Sequence, residues 1–587
     1  MNPRNDRFFP LFLFLLIAVP LFAQTAYVRT TIKSSNAPYC IPWVDSGAKA
    51  GAAWATTSNY IEILPNTQYQ TIQGFGGCFQ EKMWDALSHC SAAGRDSVIR
   101  AIFDTSGCDF TVMRMPIGAN DFSDSYYSLD DVSGDNSMTN FNLHRDSTKL
   151  IPLIRWAQAY KPDLRFWASP WTPPSWMKQN NNYYTNTTAA QNHIKTDATT
   201  MTAYALYLSK AVQEFKKAGI NIEYITCQNE PDQDNHNYPT CGWTFAEELN
   251  FYTTYMIPRF NTDGLTTKIL LGVYCCTNFA DGIQYFMNNA TVAAKVGVTS
   301  HSFEDNSVGP QCYSAYPSIP FYETESNYGV LSATTQVQDW TAGSAIFNTE
   351  AAFLATGRAA VYTQWNIVNN QTSQSGWGWA QYVMVTVDTT NGRVTYNPHF
   401  WAQKHFSYYV KVGAKAVQFT TNGISNLTSA AFKNPNGDII FVTGNANSSA
   451  TPITVKVGTE MYKATLPANS FTTLQIVTTP STVREGKGLI KGIMSALDNA
   501  RIRNSMLSFA LPVSMGAREM TVTLTDLQGR AVWTGSRADA AMNGEQQVFA
   551  IRPAHGGLRC GNYFLTVKIK NAAGVVTTVE KQVAAVN

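Results

Sequence analysis

The sequence predicts an α/β fold in which a (β/α)8 TIM barrel carries a side β-sandwich and is followed by a small all-β domain. Eight short apolar runs alternate with amphipathic segments, which is the pattern of parallel strands joined by helices. Stretches of alternating β-branched and polar residues flank this region on both sides. With 587 residues, of which 44% are apolar and 14% charged, the chain is long enough for two to four globular domains.

The N-terminus, residues 1–23, has the pattern of a secretory signal peptide. Arg4 and Arg7 precede an apolar stretch that runs from Phe8 to Phe22 and ends at the small residue Ala23. At about 15 residues the stretch is short for a membrane span. We therefore expect cleavage, export and a mature chain without a transmembrane segment. The 10 cysteines would then enter an oxidising space in which disulfides persist, but their spacing does not define a pairing.

Residues 24–66 are predicted to form the N-terminal part of the sandwich, and residues 67–415 the barrel. The clearest helix is predicted over residues 200–219, where apolar residues recur at helical spacing before Gly219. The sixth crossover, residues 304–318, is rich in Gly, Pro and Ser and predicts a loop. The eight candidate barrel strands are residues 69–74, 109–118, 164–171, 222–230, 268–274, 298–303, 319–325 and 358–366.

The C-terminal part of the chain predicts further β-structure. Residues 416–477 contain alternating runs such as 438–444 (DIIFVTG) and are expected to complete the sandwich. The polar, charge-mixed residues 478–504 predict a linker, and residues 505–587 predict a second β-domain with turns at 527–530 and 560–562.

Two glutamates lie at the ends of apolar runs: Glu230 ends the fourth predicted strand and Glu325 the seventh. The carboxyl ends of the strands of such a barrel meet at one face, where active sites lie. Cleaving a glycosidic bond requires one carboxyl that gives a proton and a second carboxylate that meets the oxocarbenium-like centre. The pair therefore predicts a retaining glycosidase whose two carboxyls lie about 5 to 5.5 Å apart.

Composition favours a neutral substrate. The net charge of +2, with no run of five or more like charges, gives no electrostatic reason to expect nucleic acid or an anionic membrane as partner. Aromatic residues make up 12% of the chain, which suits the apolar faces of carbohydrate rings, although a large barrel core would also use them. No Cys-x-x-Cys or His-x-x-x-His pattern occurs, and we expect neither a metal nor another cofactor.

Several ordered motifs are informative together: residues 73–77 (QGFGG), 114–123 (RMPIGANDFS), 168–178 (ASPWTPPSWMK), 228–231 (QNEP), 365–366 (WN) and 375–381 (SGWGWAQ). They resemble glycoside hydrolase family 30, and the last of them resembles its β-1,6-glucanase branch more than its glucosylceramidase branch. The resemblance implies a retaining enzyme that acts on β-linked glucans, xylans or glucosylceramides. The last eighty or so residues, through the motif at 558–567, resemble the C-terminal sorting domain of the type IX secretion system, which implies contact with the secretion machinery. A carbohydrate-binding module is the alternative there.

Chemistry and resemblance together give each acidic residue a predicted role. Glu230 is the predicted acid/base, which must be protonated near neutral pH and therefore partly desolvated or close to other negative charge. Glu325 is the predicted nucleophile. Glu323 competes for that role because, two positions away on a strand, it would share a face with Glu325. Glu350 lies in a helical pattern and is interpreted as a surface charge.

The predicted substrate-binding residues surround this pair. Asn229 would hydrogen-bond the 2-hydroxyl of the bound sugar. Arg114 would keep the nucleophile ionised and Asp121 would hold two sugar hydroxyls, although either residue could instead belong to a structural ion pair. Trp171 and Trp365 are candidate sugar platforms, with core packing as the alternative.

His301 and Phe303 occupy the family's His-x-Tyr element, and Phe303 replaces the expected tyrosine. The change removes one hydrogen bond to the nucleophile or the sugar, so it could shift specificity. The sequence as a whole predicts an exported endo-β-1,6-glucanase. A glucosylceramidase-like enzyme, a xylan-cleaving enzyme and a non-catalytic carbohydrate-binding protein are the alternatives.

Overall fold

The computed structural model describes residues 25–477 except 37, 187, 276, 302–305, 329 and 332–338, together with the backbone of strands between residues 501 and 585. The chain divides into two compact units, Met1–Thr478 and Thr479–Asn587. The predicted signal peptide, residues 1–23, and residues 478–500 of the predicted linker lie outside the described residues.

The first unit begins with four strands and continues with the alternating strands and helices of the barrel region. The N-terminal strands are β1 (Thr25–Lys33), β2 (Cys40–Ala50), β3 (Ala52–Ala53) and β4 (Tyr60–Thr71). The elements that follow are β5 (Gly74–Cys78), α1 (Glu81–Ser88), α2 (Ala92–Phe103), β6 (Val112–Ile117), α3 (Leu150–Tyr160), β7 (Arg165–Pro170), α4 (Ala198–Lys217), β8 (Ile222–Ile225), α5 (Phe245–Asn250), α6 (Ile257–Thr262), β9 (Lys268–Leu271), α7 (Tyr285–Met287), α8 (Ala290–Ala293), β10 (Val296–His301), α9 (Val308–Ala315), β11 (Phe321–Ser326), β12 (Val330–Leu331), α10 (Trp340–Ala355), β13 (Ala359–Asn366), β14 (Val368–Asn370), β15 (Ala380–Gln381), β16 (Val385–Asp388), β17 (Arg393–Tyr396) and α11 (Pro398–Ser407).

Within the described residues, eight parallel strands close into a barrel in the order β5-β6-β7-β8-β9-β10-β11-β13. The prediction of a (β/α)8 barrel is therefore confirmed. The predicted helix at 200–219 is also present as α4, whose N-terminus is capped by the Asp197 side chain and which is followed by Gly219 in the left-handed region at a φ of +81°.

The first barrel strand is not where the sequence predicted it. Residues 69–71 belong to β4, which pairs with a sandwich strand, and the barrel strand is the glycine-rich β5. The barrel needs those glycines because a Cβ atom added at Gly76 would lie only 1.5 Å from the carbonyl oxygen of Val112 on β6. A close backbone approach therefore overrides the poor strand propensity of the QGFGG motif.

The sixth crossover also differs from the prediction, because it contains the helix α9 instead of a loop alone. Pro310 is compatible with this helix since it lies in the first turn, where its missing N–H costs no hydrogen bond. Gly309 lets α9 approach the neighbouring backbone, because a Cβ there would lie 1.9 Å from the carbonyl oxygen of Gly357. Both residues thus favour a close-packed short helix at this position.

The sandwich combines strands from both flanks of the barrel, as predicted. Its C-terminal strands are β18 (Lys415–Asn422), β19 (Leu427–Lys433), β20 (Ile439–Asn445), β21 (Thr451–Val457), β22 (Glu460–Leu466) and β23 (Ser470–Val477). In the described part of the chain they form one hydrogen-bonded sheet in the order β2-β1-β23-β20-β19-β18-β4-β21-β22-β3. Most pairs are antiparallel, and β4 pairs with β21 in parallel.

Aromatic packing joins the sandwich to the barrel. Phe471 of β23 stacks on Phe347 and Trp340 of α10, with ring centroids 4.5 and 4.3 Å apart. His405 of α11 is also buried at this contact, where its two ring nitrogens pair with the hydroxyls of Thr473 and Thr31 at 2.9 and 3.0 Å. Burial lowers the pKa of His405 to about 3, so the ring is neutral and the contact is a hydrogen-bonded one.

The second unit contains the strands β24 (Arg501–Arg503), β25 (Met506–Pro512), β26 (Ala517–Thr525), β27 (Ala531–Ser536), β28 (Ala541–Asn543), β29 (Gln546–Ile551), β30 (Gly561–Asn571) and β31 (Val576–Ala585). These described strands form one sheet in the order β27-β26-β30-β31-β24-β25-β29-β28. The sheet starts at Arg501, four residues before the predicted boundary at 505.

Two further properties of the described residues bear on the expectation of export. None of the described helices combines the length and the apolar character needed to cross a membrane. Seven buried cysteines in this part of the chain are free thiols: Cys40, Cys78, Cys90, Cys108, Cys227, Cys241 and Cys312. These seven cysteines therefore form no disulfides with one another, although the predicted export would place them in an oxidising space.

Candidate active site

Glu230 lies in the loop that follows the fourth barrel strand, β8, and not within the strand itself. Its φ is +43°, a left-handed conformation that typically costs a non-glycine residue about 1–3 kcal/mol. Hydrogen bonds to both neighbouring strands hold it there. The Glu230 N–H donates to the carbonyl oxygen of Val273 at 2.9 Å, and the Asn229 N–H donates to that of Pro170 at 2.7 Å. The strained turn therefore fixes the direction of the Glu230 side chain.

Glu325 lies near the end of the seventh barrel strand, β11, and forms an ion pair with Arg114 of β6. Arg114 is fully buried, and Glu325 is 5% exposed. The pair therefore crosses the barrel interior from the second strand to the seventh. The register of β11 against β13 shifts between Glu323 and Ser326, so strict alternation does not extend from Glu323 to Glu325.

The Arg114 guanidinium contacts further groups of the site besides Glu325. It donates to the Asn229 side-chain oxygen, and its Nε donates to Ser169 Oγ at 3.0 Å. Its central carbon lies 4.3 Å from the ring centroid of Trp171 and 5.1 Å from that of Trp365. Arg114 thus links Glu325 directly to Asn229, which is the chain neighbour of Glu230.

Trp171 and Trp365 stack on each other, with ring centroids 5.2 Å apart, and are only 2% and 1% exposed. The predicted alternative of core packing is therefore present: the rings pack in a cluster with Cys78 and Phe122 and lie beside the Arg114 guanidinium. Their role as sugar platforms stays a prediction. Tyr238 and Trp379 pack against the same cluster and are more exposed.

The electrostatics of the site separate the carboxyl groups. Burial raises the pKa of Glu230 well above its usual range, and the charge of Glu325 raises it further. Burial also raises the pKa of Glu325, but the Arg114 charge and hydrogen bond oppose that effect. An opposite charge this close typically lowers a carboxyl pKa by about 1–3 units. Glu325 is therefore the carboxyl that ionises more readily, and Glu230 the one that keeps its proton.

Several buried polar atoms near the pair have no hydrogen-bond partner among the described residues. They include Glu230 Oε1 and Trp379 Nε1. The pKa of Asp121 is raised well above its usual range, by burial first and by the charge of Glu325 second. Because unpaired buried polar groups are costly, these atoms indicate a place that is completed by a polar ligand rich in hydroxyl groups.

Glu323 is fully buried, and no side chain among the described residues donates a hydrogen bond to its carboxyl oxygens. Burial raises its pKa well above the usual range, and the charge of Glu325 is the next cause. The expected influence of the two glutamates on each other is therefore present. Arg114 forms its ion pair with Glu325, which favours Glu325 as the ionised member.

The prediction that Glu350 is a surface charge is wrong. It does lie in a helix, α10, but it is fully buried, and its Oε1 accepts a hydrogen bond from Gln403 Nε2 at 2.9 Å. The reason is that α10 packs between the barrel and the sandwich, so the face of this helix that carries Glu350 is covered. Burial raises the pKa of Glu350 well above its usual range, and the charge of Glu323 adds to the shift.

His301 ends the sixth barrel strand, β10, opposite Glu323 in the register of β11. Phe303 lies outside the described residues. Residues that sequence reasoning missed include Ser169, which fixes Arg114 Nε, and Trp167, whose ring centroid lies 4.7 Å from the guanidinium. Trp167, Ser169 and Trp171 lie at every second position along and just after β7, and this alternation indicates that they share a face.

Comparisons with known families agree with this fold. The profile of the glycosyl hydrolase family 30 TIM-barrel domain matches residues 72–410, and that of the family's β-sandwich domain matches residues 413–474. The fold and its buried carboxyl site thus define a glycoside hydrolase. The chain belongs to glycosyl hydrolase family 30.

Individual relatives share most of the first unit. The chain is 28% identical to putative glucosylceramidase 1 of Caenorhabditis elegans, over 71% of this chain and 83% of that one. It is also 28% identical to the endo-1,6-beta-D-glucanase BGN16.3 of Trichoderma harzianum, over 74% of this chain and 89% of that one. Among solved structures, SrfJ from Salmonella typhimurium is similar with a TM-score of 0.69 at 23% identity, over 76% of this chain and 99% of that one. At that identity the likeness shows the fold alone.

The two competing glutamates can be separated by their amides. We expect Glu325→Gln to lower kcat by about 1,000-fold or more while the variant still binds oligosaccharide, because the attacking oxygen is lost but the shape is kept. We expect Glu323→Gln to keep kcat within about tenfold, because an amide resembles a buried neutral carboxyl. Steady-state kinetics and calorimetric binding measure both effects. An inactive Glu323→Gln beside an active Glu325→Gln would reverse the assignment.

Proposed function

We propose that the protein is an exported, retaining endo-β-1,6-glucanase that uses Glu230 as acid/base and Glu325 as nucleophile. The observation that carries the proposal is the double contact of Arg114, which binds Glu325 and Asn229 at the same time. This contact joins the loop after the fourth strand to the end of the seventh strand. Retaining enzymes require two carboxyls about 5 to 5.5 Å apart, and we expect Glu230 and Glu325 to meet that requirement.

In the first step, Glu325 attacks the anomeric carbon while the Glu230 carboxyl gives its proton to the leaving glycosidic oxygen. The carbon–oxygen bond to the acceptor breaks and a glycosyl ester of Glu325 forms. Asn229, held by Arg114, is oriented to hydrogen-bond the 2-hydroxyl of the sugar, a contact that strengthens as the ring flattens. Asp121 holds further sugar hydroxyls.

In the second step, the ionised Glu230 takes a proton from water, and the water oxygen attacks the anomeric carbon from the face that the acceptor left. The ester bond breaks and the Glu325 carboxylate returns to its ion pair with Arg114. Departure of that negative charge from Glu325 in the intermediate helps Glu230 to ionise, because the charge of Glu325 is a cause of the raised pKa of Glu230.

The linkage is proposed from two observations. Residues 375–381 resemble the β-1,6-glucanase branch, and the relative from Trichoderma harzianum is an endo-1,6-beta-D-glucanase. A glucosylceramidase-like activity is the second candidate, because putative glucosylceramidase 1 of Caenorhabditis elegans is equally similar in sequence. Both candidates use the same carboxyl pair, so the difference lies in what surrounds it.

Export is proposed from the signal-like N-terminus and from the C-terminal unit. We infer that the second unit is a sorting domain recognised by the secretion machinery, because residues 558–567 resemble that of the type IX system. An all-β sheet agrees with both a sorting domain and a carbohydrate-binding module. The barrel and the sandwich form a compact unit of their own, so catalysis does not require the second unit.

Substrate specificity is measured by reducing-end release from β-1,6-glucan, glucuronoxylan and an aryl β-glucoside. We expect the β-1,6-glucan to be cleaved with the highest kcat/KM, and proton NMR to show a first product with the β configuration. Hydrolysis of the aryl glucoside alone would favour the glucosylceramidase-like candidate. A first product with the α configuration would contradict the double displacement.

The role of the second unit is tested by deleting residues 505–587. We expect the purified truncated enzyme to keep the kcat/KM of the full chain on soluble glucan, while the producing cell no longer delivers it to the outside. The matched measurement is sedimentation with insoluble β-glucan, where we expect no change. Loss of affinity for the insoluble glucan, with export intact, would indicate a carbohydrate-binding module instead.

A further inference from the structure

A set of partly exposed aromatic rings continues outward from the buried tryptophans of the site. Phe122 contacts Trp365, with ring centroids 6.1 Å apart, and also contacts Trp379 at 5.2 Å. Trp379 in turn contacts Tyr238 at 5.9 Å, and Tyr238 stacks on His236 at 4.5 Å. The aromatic contacts therefore run without interruption from the wall beside Arg114 to the surface.

A second group of rings adjoins the first. Tyr126 contacts Trp377 at 5.1 Å and stacks on Tyr184 at 5.0 Å. The Tyr126 hydroxyl donates to the carbonyl oxygen of Asn237 at 2.6 Å, and the Asn237 side chain donates to the carbonyl oxygen of Trp377 at 3.4 Å. The two groups are thus tied together by hydrogen bonds next to Tyr238. We call Tyr238, Trp379, Trp377, Tyr126 and Tyr184 the aromatic rim.

The rim residues come from loops that follow four different barrel strands. Tyr126 follows β6, Tyr184 follows β7, Tyr238 follows β8, and Trp377 and Trp379 follow β13. These loops all lie at the carboxyl-end face of the barrel, where the carboxyl pair also lies. The aromatic rim therefore lies on the active face of the barrel and not on its outer helices.

The rim differs from a packed core in its exposure. All five rings are partly exposed, whereas Trp171 and Trp365 are 2% and 1% exposed. Aromatic rings held partly exposed around a pocket offer flat apolar faces to a ligand at little cost in side-chain entropy. The apolar faces of glucosyl rings are suited to such surfaces, and neutral sugars need no charged partner.

The position of Tyr238 shows which side of the scissile bond the rim faces. It lies in the same loop as Glu230, and it packs against the cluster of Trp171 and Trp365. The pKa of its hydroxyl is raised, by burial first and then by the charges of Glu230, Asp121 and Glu325, which agrees with a place close to the carboxyl groups of the site as a whole. Because the acid/base protonates the leaving oxygen, surfaces beside it contact the leaving part of the substrate.

We propose that the aromatic rim binds the glucosyl units on the leaving-group side of a β-linked glucan chain, so that longer chains are cleaved with a higher kcat/KM than short ones. The assignment rests on the proposed function and adds the residues that determine chain-length preference. Tyr238 and Trp379 form the platform next to the cleaved bond. Trp377, Tyr126 and Tyr184 form the more distant platform.

The test uses the full chain with Tyr238→Ala and Trp377→Ala, assayed on β-1,6-linked glucose oligosaccharides of two to six units and on the polymer. The control is Trp156→Ala, which removes a partly exposed tryptophan that stacks on Trp84 at 4.5 Å on the helices α1 and α3, away from the active face. Thermal unfolding of each variant reports on folding. Product patterns at early times report on where the chain is cut.

We expect Trp377→Ala to lower kcat/KM on the hexasaccharide about tenfold more than on the disaccharide, as a lost stacking contact would. We expect Tyr238→Ala to lower kcat/KM on every substrate, mainly through KM, and Trp156→Ala to leave the ratio of long to short substrates unchanged. A folded Trp377→Ala with the same ratio as the parent enzyme would overturn the assignment.

Failure of the proposed function has a different signature. If the parent enzyme cleaves no β-1,6-linked substrate, the linkage is wrong, and the same variants are then compared on the β-linked oligosaccharides that it does cleave. If the parent enzyme cleaves the hexasaccharide and the disaccharide with the same kcat/KM, the rim proposal is contradicted while the glycosidase assignment stands.

Discussion

The arrangement of this site depends on one buried cation, the Arg114 guanidinium. Its donors reach Glu325, Asn229 and Ser169, so it fixes groups from three other elements around itself. A fully buried charge is costly unless it is paired and hydrogen-bonded, and here the pairing partner is the proposed nucleophile. The free energy that holds the ion pair together therefore also sets the position and the ionisation of the reacting carboxylate.

Arg114 also makes the buried carboxyls of the site differ from one another, because it forms its ion pair with Glu325. Glu230, Asp121 and Glu323 are buried with raised pKa values, and Glu325 is the one that accepts directly from Arg114. The proposed proton donor and the proposed nucleophile can thus be of the same residue type and still differ in how readily they ionise. The φ of +43° at Glu230 adds a geometric constraint, because neighbouring strands must hold this turn against its intrinsic preference.

Much of this could be predicted from the sequence because periodicity and motif order report local structure. The barrel, the sandwich from both flanks, the position of Glu230 after the fourth strand and that of Glu325 near the end of the seventh follow from such signals. The sequence-based predictions that were wrong concern features that tertiary contacts determine. Strand β5 is rich in glycine because it packs on β6, and Glu350 is buried because the sandwich covers α10. Neither the packing of β5 on β6 nor the covering of α10 can be deduced from a local sequence pattern.

The aromatic residues illustrate the same limit within the site. Trp171 and Trp365 were found through their motifs, and they are buried in the wall beside Arg114. Tyr238 could not be found in this way, since it lies in an irregular loop whose path only the folded chain defines. Loops at the active face are free to vary while the strands stay fixed, so specificity is the part of the function that sequence periodicity describes least.

The most direct measurement is to trap the covalent intermediate with a 2-deoxy-2-fluoro-β-glucosyl fluoride and to locate the label by tandem mass spectrometry of the peptide around residues 321–328. We expect a single fluoroglucosyl ester on Glu325, because the ion pair with Arg114 stabilises the ionised form of this carboxyl. A label on Glu323 or on Glu230, or turnover of the probe with inversion and no ester at all, would contradict it.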